Sequence, residues 1–135
     1  MAQEEIEFLK ERSREFYEEA LELFKKGKYN LSAFALEQSL QLYLKYLIGK
    51  KIGDWPKTHY LDELVENLAE AYNKEEFIKY KKENSLFFDD LSDAYFTSRY
   101  FPKKFNKELV EELLKNFEKF IKFIEEIFNE KFNSN

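Results

Sequence analysis

Three glycines and two prolines are the only backbone punctuation in 135 residues, and that scarcity constrains the fold more than any other feature of the chain. Glycine makes tight turns cheap and proline stops helices, so a chain this poor in both has few corners. Gly27 closes a first segment, Gly49 and Gly53 with Pro56 mark a second break, and Pro102 marks a third. Between the breaks, apolar residues recur at three- and four-residue spacing, the period of a helix. No stretch alternates with period two over enough residues to make a strand.

Residues 3 to 26 place Phe16, Ala20, Leu23 and Phe24 on one face and Glu18, Glu19 and Glu22 on the other. Gly27 fits a C-cap, with Lys25 and Lys26 in the last turn, where the helix dipole favours cations. A second helix starts near Asn30 as N-cap, carries Ala33, Leu36, Leu40, Tyr43, Leu44 and Leu47, and stops at Gly49. The short connection makes these two an antiparallel hairpin. Lys50 to Lys57 reads as a structured loop holding the only Trp. A third helix carries Leu61, Leu64, Val65, Leu68, Ala69 and Tyr72. Asn73 and Glu76 have capping-box spacing for a short helix reaching about Lys82. A further helix from Ser85 to Arg99 shows Phe88, Leu91 and Tyr95 on one stripe, and Asn106 caps the last helix. That helix runs Val110, Leu113, Phe117, Phe120, Ile124, Ile127, widened by Leu114, Ile121 and Phe128. The expectation is an all-α, antiparallel up-down bundle of about five helices, one domain over 1–135. Phe120, Phe123, Ile127 and Phe132 exceed what one neighbouring helix can cover, so a long loop or a second subunit must bury them, and a homodimer is expected.

Composition removes most chemistries. The chain has no cysteine and one histidine, His59, which excludes disulfides, thiolate sites and any site needing two imidazoles. The acidic trio Asp89, Asp90 and Asp93 has no converging ligands from elsewhere, so neither a metal nor another cofactor is expected. With 22 Lys and Arg against 27 Asp and Glu, the net charge is -5, opposite to the balance of proteins that coat nucleic acid in bulk. Two local basic clusters, Lys79, Lys81, Lys82 and Lys103, Lys104, Lys107, bracket the Arg99 helix. They are the one feature able to favour a phosphate-bearing ligand on an acidic chain. No apolar run approaches the roughly 18 residues of a membrane span, and the acidic start Met1-Ala2-Gln3-Glu4-Glu5 is unlike a secretory signal, so a cytoplasmic location is expected. The Lys- and Glu-rich, glycine-poor makeup suits a thermophile; the 15 Phe and 9 Tyr equally suit an AT-biased genome.

Three pieces of the chain, spanning about residues 17 to 102, resemble one family. The run Gly27-Lys28-Tyr29-Asn30-Leu31-Ser32-Ala33-Phe34-Ala35-Leu36-Glu37-Gln38-Ser39-Leu40-Gln41-Leu42-Tyr43-Leu44-Lys45 is similar to a Gly-x-Tyr turn followed by small residues, Gln-Ala-x-Glu and Leu-Lys. Thr58-His59, then Leu61 and Leu64, resembles a Thr-His-(Asp/Ser)-Leu-x-x-Leu helix start. Leu91-Ser92-Asp93-Ala94-Tyr95-Phe96-Thr97-Ser98-Arg99-Tyr100-Phe101-Pro102 resembles a Tyr-x-x-x-Arg-Tyr-Pro segment. In this order they resemble the HEPN domain (higher eukaryotes and prokaryotes nucleotide-binding). Ser39 stands where Ala is usual, Leu42 and Tyr43 crowd the usual Glu position, and Phe101 is inserted before Pro102.

The resemblance implies a four- to five-helix bundle, usually dimeric. Many HEPN proteins are metal-independent ribonucleases whose signature is an Arg followed four to six residues later by a His, the His moving a proton and the Arg stabilising phosphate charge. Arg99 matches the Arg, but Lys104, Phe105 and Asn106 occupy the spacing, and the only His lies forty residues earlier, at 59. No catalytic residues are therefore assigned. The expected function is that of a non-catalytic HEPN protein, binding a nucleotide or partnering a minimal nucleotidyltransferase in a two-component, toxin–antitoxin-like module. A degenerate ribonuclease or RNA-binding toxin and a ligand-free scaffold dimer are the alternatives. The candidate ligand site groups Arg99, Tyr100, Tyr95, His59 and Gln38. Arg99 continues the Tyr95 stripe by one turn and serves either a salt bridge or a bidentate phosphate contact. His59 is either a helix-start or loop anchor or a polar contact, and Gln38 either a solvent residue or an interhelical donor.

Overall fold

The computed structural model describes residues 3–100 and 105–133, and within them every side chain except those of Ser98 and Arg99. Pro102, Lys103 and Lys104 lie outside the described residues. The chain forms α1 (Gln3–Lys25), α2 (Tyr29–Ile52), α3 (Leu61–Tyr72), α4 (Glu76–Glu83), α5 (Ser85–Tyr100) and α6 (Lys107–Phe128). Among the described residues there is no strand.

The bundle is organised around α2, which buries 14 of its 24 residues and leaves a half-buried stripe at Phe34, Gln38, Leu42 and Lys45. A helix buried over most of its circumference needs several neighbours, and α1, α3, α5 and α6 all pack on it. The α1–α2 pair is the closest because small residues line it. Ser13 Oγ donates to the Ser39 carbonyl at 2.6 Å, Ser39 Oγ donates back to the Ser13 carbonyl at 2.8 Å, and Ser32 Oγ donates to the Ala20 carbonyl at 2.7 Å. Those bonds satisfy hydroxyls that would be costly to bury alone.

Directions follow from the end contacts. The Phe105 N–H donates to Asn30 Oδ1 at 2.7 Å, which returns the chain after α5 to the start of α2, so α5 runs against α2. The Tyr72 hydroxyl donates to the Leu47 carbonyl and its ring meets Phe128, so α3 ends where α2 ends. α3 therefore runs in the same direction as α2, because the loop 53–60 folds back along α2, and α6 does so too.

Helix ends are where the structure departs from the sequence reading. Gly27 (φ +76) and Asn106, whose Oδ1 accepts the Leu109 N–H at 2.8 Å, act as expected. Gly49 does not stop α2; the helix continues to Ile52 and closes on left-handed Gly53 (φ +86). A Cβ on Gly49 would sit 3.5 Å from Ile6 and 3.6 Å from Trp55, ordinary contact distances, so this helical position packs beside both without requiring glycine. Asn30 is the second residue of α2 rather than its cap, and its side chain serves Phe105 instead. Asn73 and Glu76 form no capping box: Asn73 is left-handed (φ 54) and ends α3, and no side-chain hydrogen bond caps α4.

The wide stripe of α6 is covered within the chain. Tyr80 of α4 stacks on Phe120 and Phe123 with ring centroids at 4.9 and 4.5 Å, and Phe77 packs on Phe123 and Phe128 at 5.6 and 5.7 Å. Phe132 folds back into the core, edge-on to Tyr43 at 4.8 Å. Of the surplus, a short helix and a C-terminal strap thus bury Phe120 and Phe132, while Phe123 and Ile127 stay half-buried.

That strap, residues 129–133, leaves α6 through left-handed Asn129 (φ 53). Glu130 accepts from Lys10 Nζ at 3.2 Å, from the Tyr46 hydroxyl at 2.9 Å and from Lys50. Burial pushes the Glu130 carboxyl up, but hydrogen bonds from Lys50, Tyr46 and Lys10 and the Lys10 charge outweigh burial and leave it below its ordinary value. A depressed carboxylate contributes stability above the unfolded-state pKa and loses it as pH falls through the folded value. Urea unfolding should therefore show Glu130→Gln less stable than wild type near neutrality, with the gap closing below about pH 4; a constant gap rejects the ion cluster as its cause. Phe77→Ala, which strips the cover from α6, should cost roughly 3–5 kcal/mol in the same assay.

Candidate functional site

The loop 53–60 holds itself together with local turns. Asp54 Oδ1 accepts the Trp55 N–H at 2.8 Å and Thr58 Oγ1 accepts the Tyr60 N–H at 3.2 Å. Extended Tyr60 then starts α3 with no side-chain cap. His59 is consequently not a helix cap. Its ring lies on that of Tyr95 from α5, with centroids 4.9 Å apart and planes 15° from parallel, so the anchoring contact is a stack.

The stack is the centre of an exposed aromatic surface. Tyr60 lies 5.7 Å from His59, and Phe96 meets Tyr95 edge-on at 4.8 Å. Tyr100 continues the α5 face one turn beyond Phe96 and is 68% exposed, against 40% for Phe96 and 53% for Tyr60. Of the sequence candidates, the structure brings His59 and Tyr95 into contact and carries Tyr100 on the same helix. Arg99 stands one turn after Tyr95 in the α5 backbone; its side chain lies outside the described residues.

Gln38 does not bond across helices in the way the sequence suggested. Its Nε2 donates to Glu37 Oε1 at 2.8 Å, within α2. Glu37, passed over in the sequence reading, is fully buried and also accepts from Gln41 Nε2 at 2.9 Å. Burial pulls the Lys45 ammonium down; Glu37 counters this and Lys57 adds to it. These three charges therefore share one side of α2, along which the loop carrying His59 runs. A glutamate at the centre of an apolar stripe, with Gln at i+4, was the available signal.

Chemically, the surface offers π faces for a planar ring, one imidazole, phenolic hydroxyls and nearby lysine charge. It is a platform rather than a cavity. A groove of about 350 Å³ lies elsewhere, between α1 and α6, beside Tyr17, Phe117 and Phe132. Among the described residues no group of three or more His, Cys, Asp or Glu side chains could hold a metal ion. Tyr95→Leu should remove the ring-current shift on the His59 ring protons with little loss of helicity; unchanged His59 resonances would sink the stacked geometry.

No curated protein and no solved structure compared with the chain matches it. The family model for the HEPN domain does match, over residues 6–127, from the first turn of α1 to the last turn of α6. With nearly the whole helical bundle covered, the chain belongs to the HEPN domain family.

Proposed function

We propose that this chain is a non-catalytic HEPN protein that binds a nucleotide at the His59–Tyr95 platform and acts as a homodimer beside a minimal nucleotidyltransferase in a two-component, toxin–antitoxin-like module. The observation that carries the ligand reading is the stack itself: a planar imidazole–phenol pair, exposed, one helical turn from Arg99 on the same helix. A base can stack on such a surface, with stacking worth about 1–3 kcal/mol per base. An arginine one turn away suits the phosphate, because its fork makes two charge-assisted bonds at once. Family membership and the missing histidine after Arg99 support the non-catalytic half. Among the described residues no helix is long and apolar enough to cross a membrane, which agrees with a partner and ligand met in the cytoplasm.

One observation favours a second reading. The chain's only histidine, forty positions before Arg99 in sequence (59 against 99), is folded against the same helix. A degenerate ribonuclease would then use His59 for proton transfer and Arg99 for phosphate charge.

Thermal unfolding with and without nucleotide tests the first reading. A nucleotide at about 100 times its Kd should stabilise the wild type by ~2.7 kcal/mol, a shift of roughly 8–12 °C. Arg99→Lys and Tyr95→Leu should each lose most of it. No shift with any nucleotide overturns the ligand site. Metal-independent RNA cleavage by the wild type that vanishes in His59→Ala would establish the second reading instead. Sedimentation near twice 16.5 kDa is expected for the dimer, and a monomer at tens of micromolar counts against it.

A further inference from the structure

We infer that the groove between α1 and α6 is a binding site for a small hydrocarbon-ring anion, an aromatic carboxylate being the simplest case; it is separate from the nucleotide platform and does not depend on it. The groove holds about 350 Å³, at the small end of the ~300–1,000 Å³ typical of small-molecule sites, which suits one or two rings. Its inner side is carbon, where buried Phe117, Ile121 and Phe132 line it. Half-buried Tyr17 extends that side, its ring stacked on Phe117 at 5.1 Å and 13° from parallel, with Phe132 edge-on to it at 5.9 Å. The outer edge is cationic. Lys115, Lys119 and Lys122 line it from α6, all exposed, and their four- and three-residue spacing puts them on successive turns of one face.

On an ordinary solvated helix face, lysines are matched by carboxylates three or four positions away. The carboxylates that line this groove have that spacing but are turned to other tasks. Glu118 accepts the Tyr17 hydroxyl, and Glu125 Oε2 accepts the Phe132 N–H at 2.8 Å. Among the described residues none of the three lysines has an ion-pair partner. Three ammonium groups beside a ring floor favour a ligand with an anionic head and an apolar body. They repel the cation that aromatic faces alone would attract. A nucleotide fits less well, because a carbon floor leaves the donors and acceptors of a base edge unmatched. The walls are also fixed in advance. Glu130, bonded to Lys10, Tyr46 and Lys50, holds down the strap that carries Phe132. Burial, with Glu118 beside it, pushes the Tyr17 phenol up, so its hydroxyl stays a neutral donor. A preformed wall removes the ordering cost of binding.

NMR titration of the full isotope-labelled chain with 2-naphthoate tests the site. A ligand of this size should bind with a Kd near ~1 mM, shifting Tyr17, Phe117 and Phe132 resonances and leaving those of His59 and Tyr95 in place. 2-Naphthamide, the same rings without the charge, should bind about fivefold more weakly. Added salt should weaken the naphthoate and not the amide. Lys119→Gln combined with Lys122→Gln, both at exposed positions, should weaken naphthoate several-fold and leave naphthamide unchanged. No shift at the groove over the whole titration overturns the proposal, as does equal affinity for the two compounds or a double variant that binds like wild type. Phenyltrimethylammonium binding the same residues more tightly than naphthoate overturns it in favour of a cation cage. Naphthoate shifts confined to His59 and Tyr95 overturn it and leave the nucleotide platform standing, whereas a platform that binds no nucleotide leaves the groove untouched.

Discussion

Helix α2 cannot exist in water by itself. Its buried residues, from Ala33 and Leu36 through Tyr43 and Leu44 to Tyr46 and Ile48, take up all but a half-buried stripe at Phe34, Gln38, Leu42 and Lys45, so a single neighbouring helix cannot cover them. Everything else in the molecule is arranged to surround it. The first helix approaches closely because Ser13, Ala20, Ser32, Ala33 and Ser39 are small and the hydroxyls satisfy carbonyls across the contact. At the far end Gly49 lies beside Ile6 and Trp55.

The aromatic residues solve a different problem. A 22-residue α6 with a broad apolar face would normally ask for a large partner. Here an eight-residue α4 suffices, because Phe77 and Tyr80 present two rings to Phe120, Phe123 and Phe128. Ring pairs in offset and edge-on geometries cover much area with few residues and add about 0.5–1.5 kcal/mol each beyond burial.

Buried polar groups mark where this bundle does more than pack. Glu37 accepts from two amides of its own helix, and Lys10 donates to a carboxylate 120 positions away. Neither arrangement is the most stable way to fill a core, since apolar residues of similar volume often do as well or better. Each specifies one position of one element. Glu130 holds the strap over the α1–α2 pair, and Glu37 opposes the downward pull of burial on the Lys45 ammonium.

Helix content, helix order and most core positions were legible in the sequence, because the 3.6-residue period is a local property that needs only a buried face to express it. The Asn106 cap and the Gly27 turn were legible for the same reason, as each depends on its immediate neighbours. Asn30 was misread because a distant partner, Phe105, claims its side chain, and Gly49 because the left-handed turn that ends α2 falls to Gly53 instead. The candidate site divides likewise. Tyr95, Arg99 and Tyr100 share a helix and could be grouped by spacing, whereas the stack of His59 on Tyr95 exists only because the loop 53–60 doubles back along α2. Glu37 as a buried acceptor and Glu130 as the anion of a buried lysine are long-range choices of the same kind. The sequence determined which faces had to be hidden, and the tertiary structure alone decided which residues would hide them, because apolar burial is non-directional while each pairing of charges, rings and hydrogen bonds needs one particular neighbour.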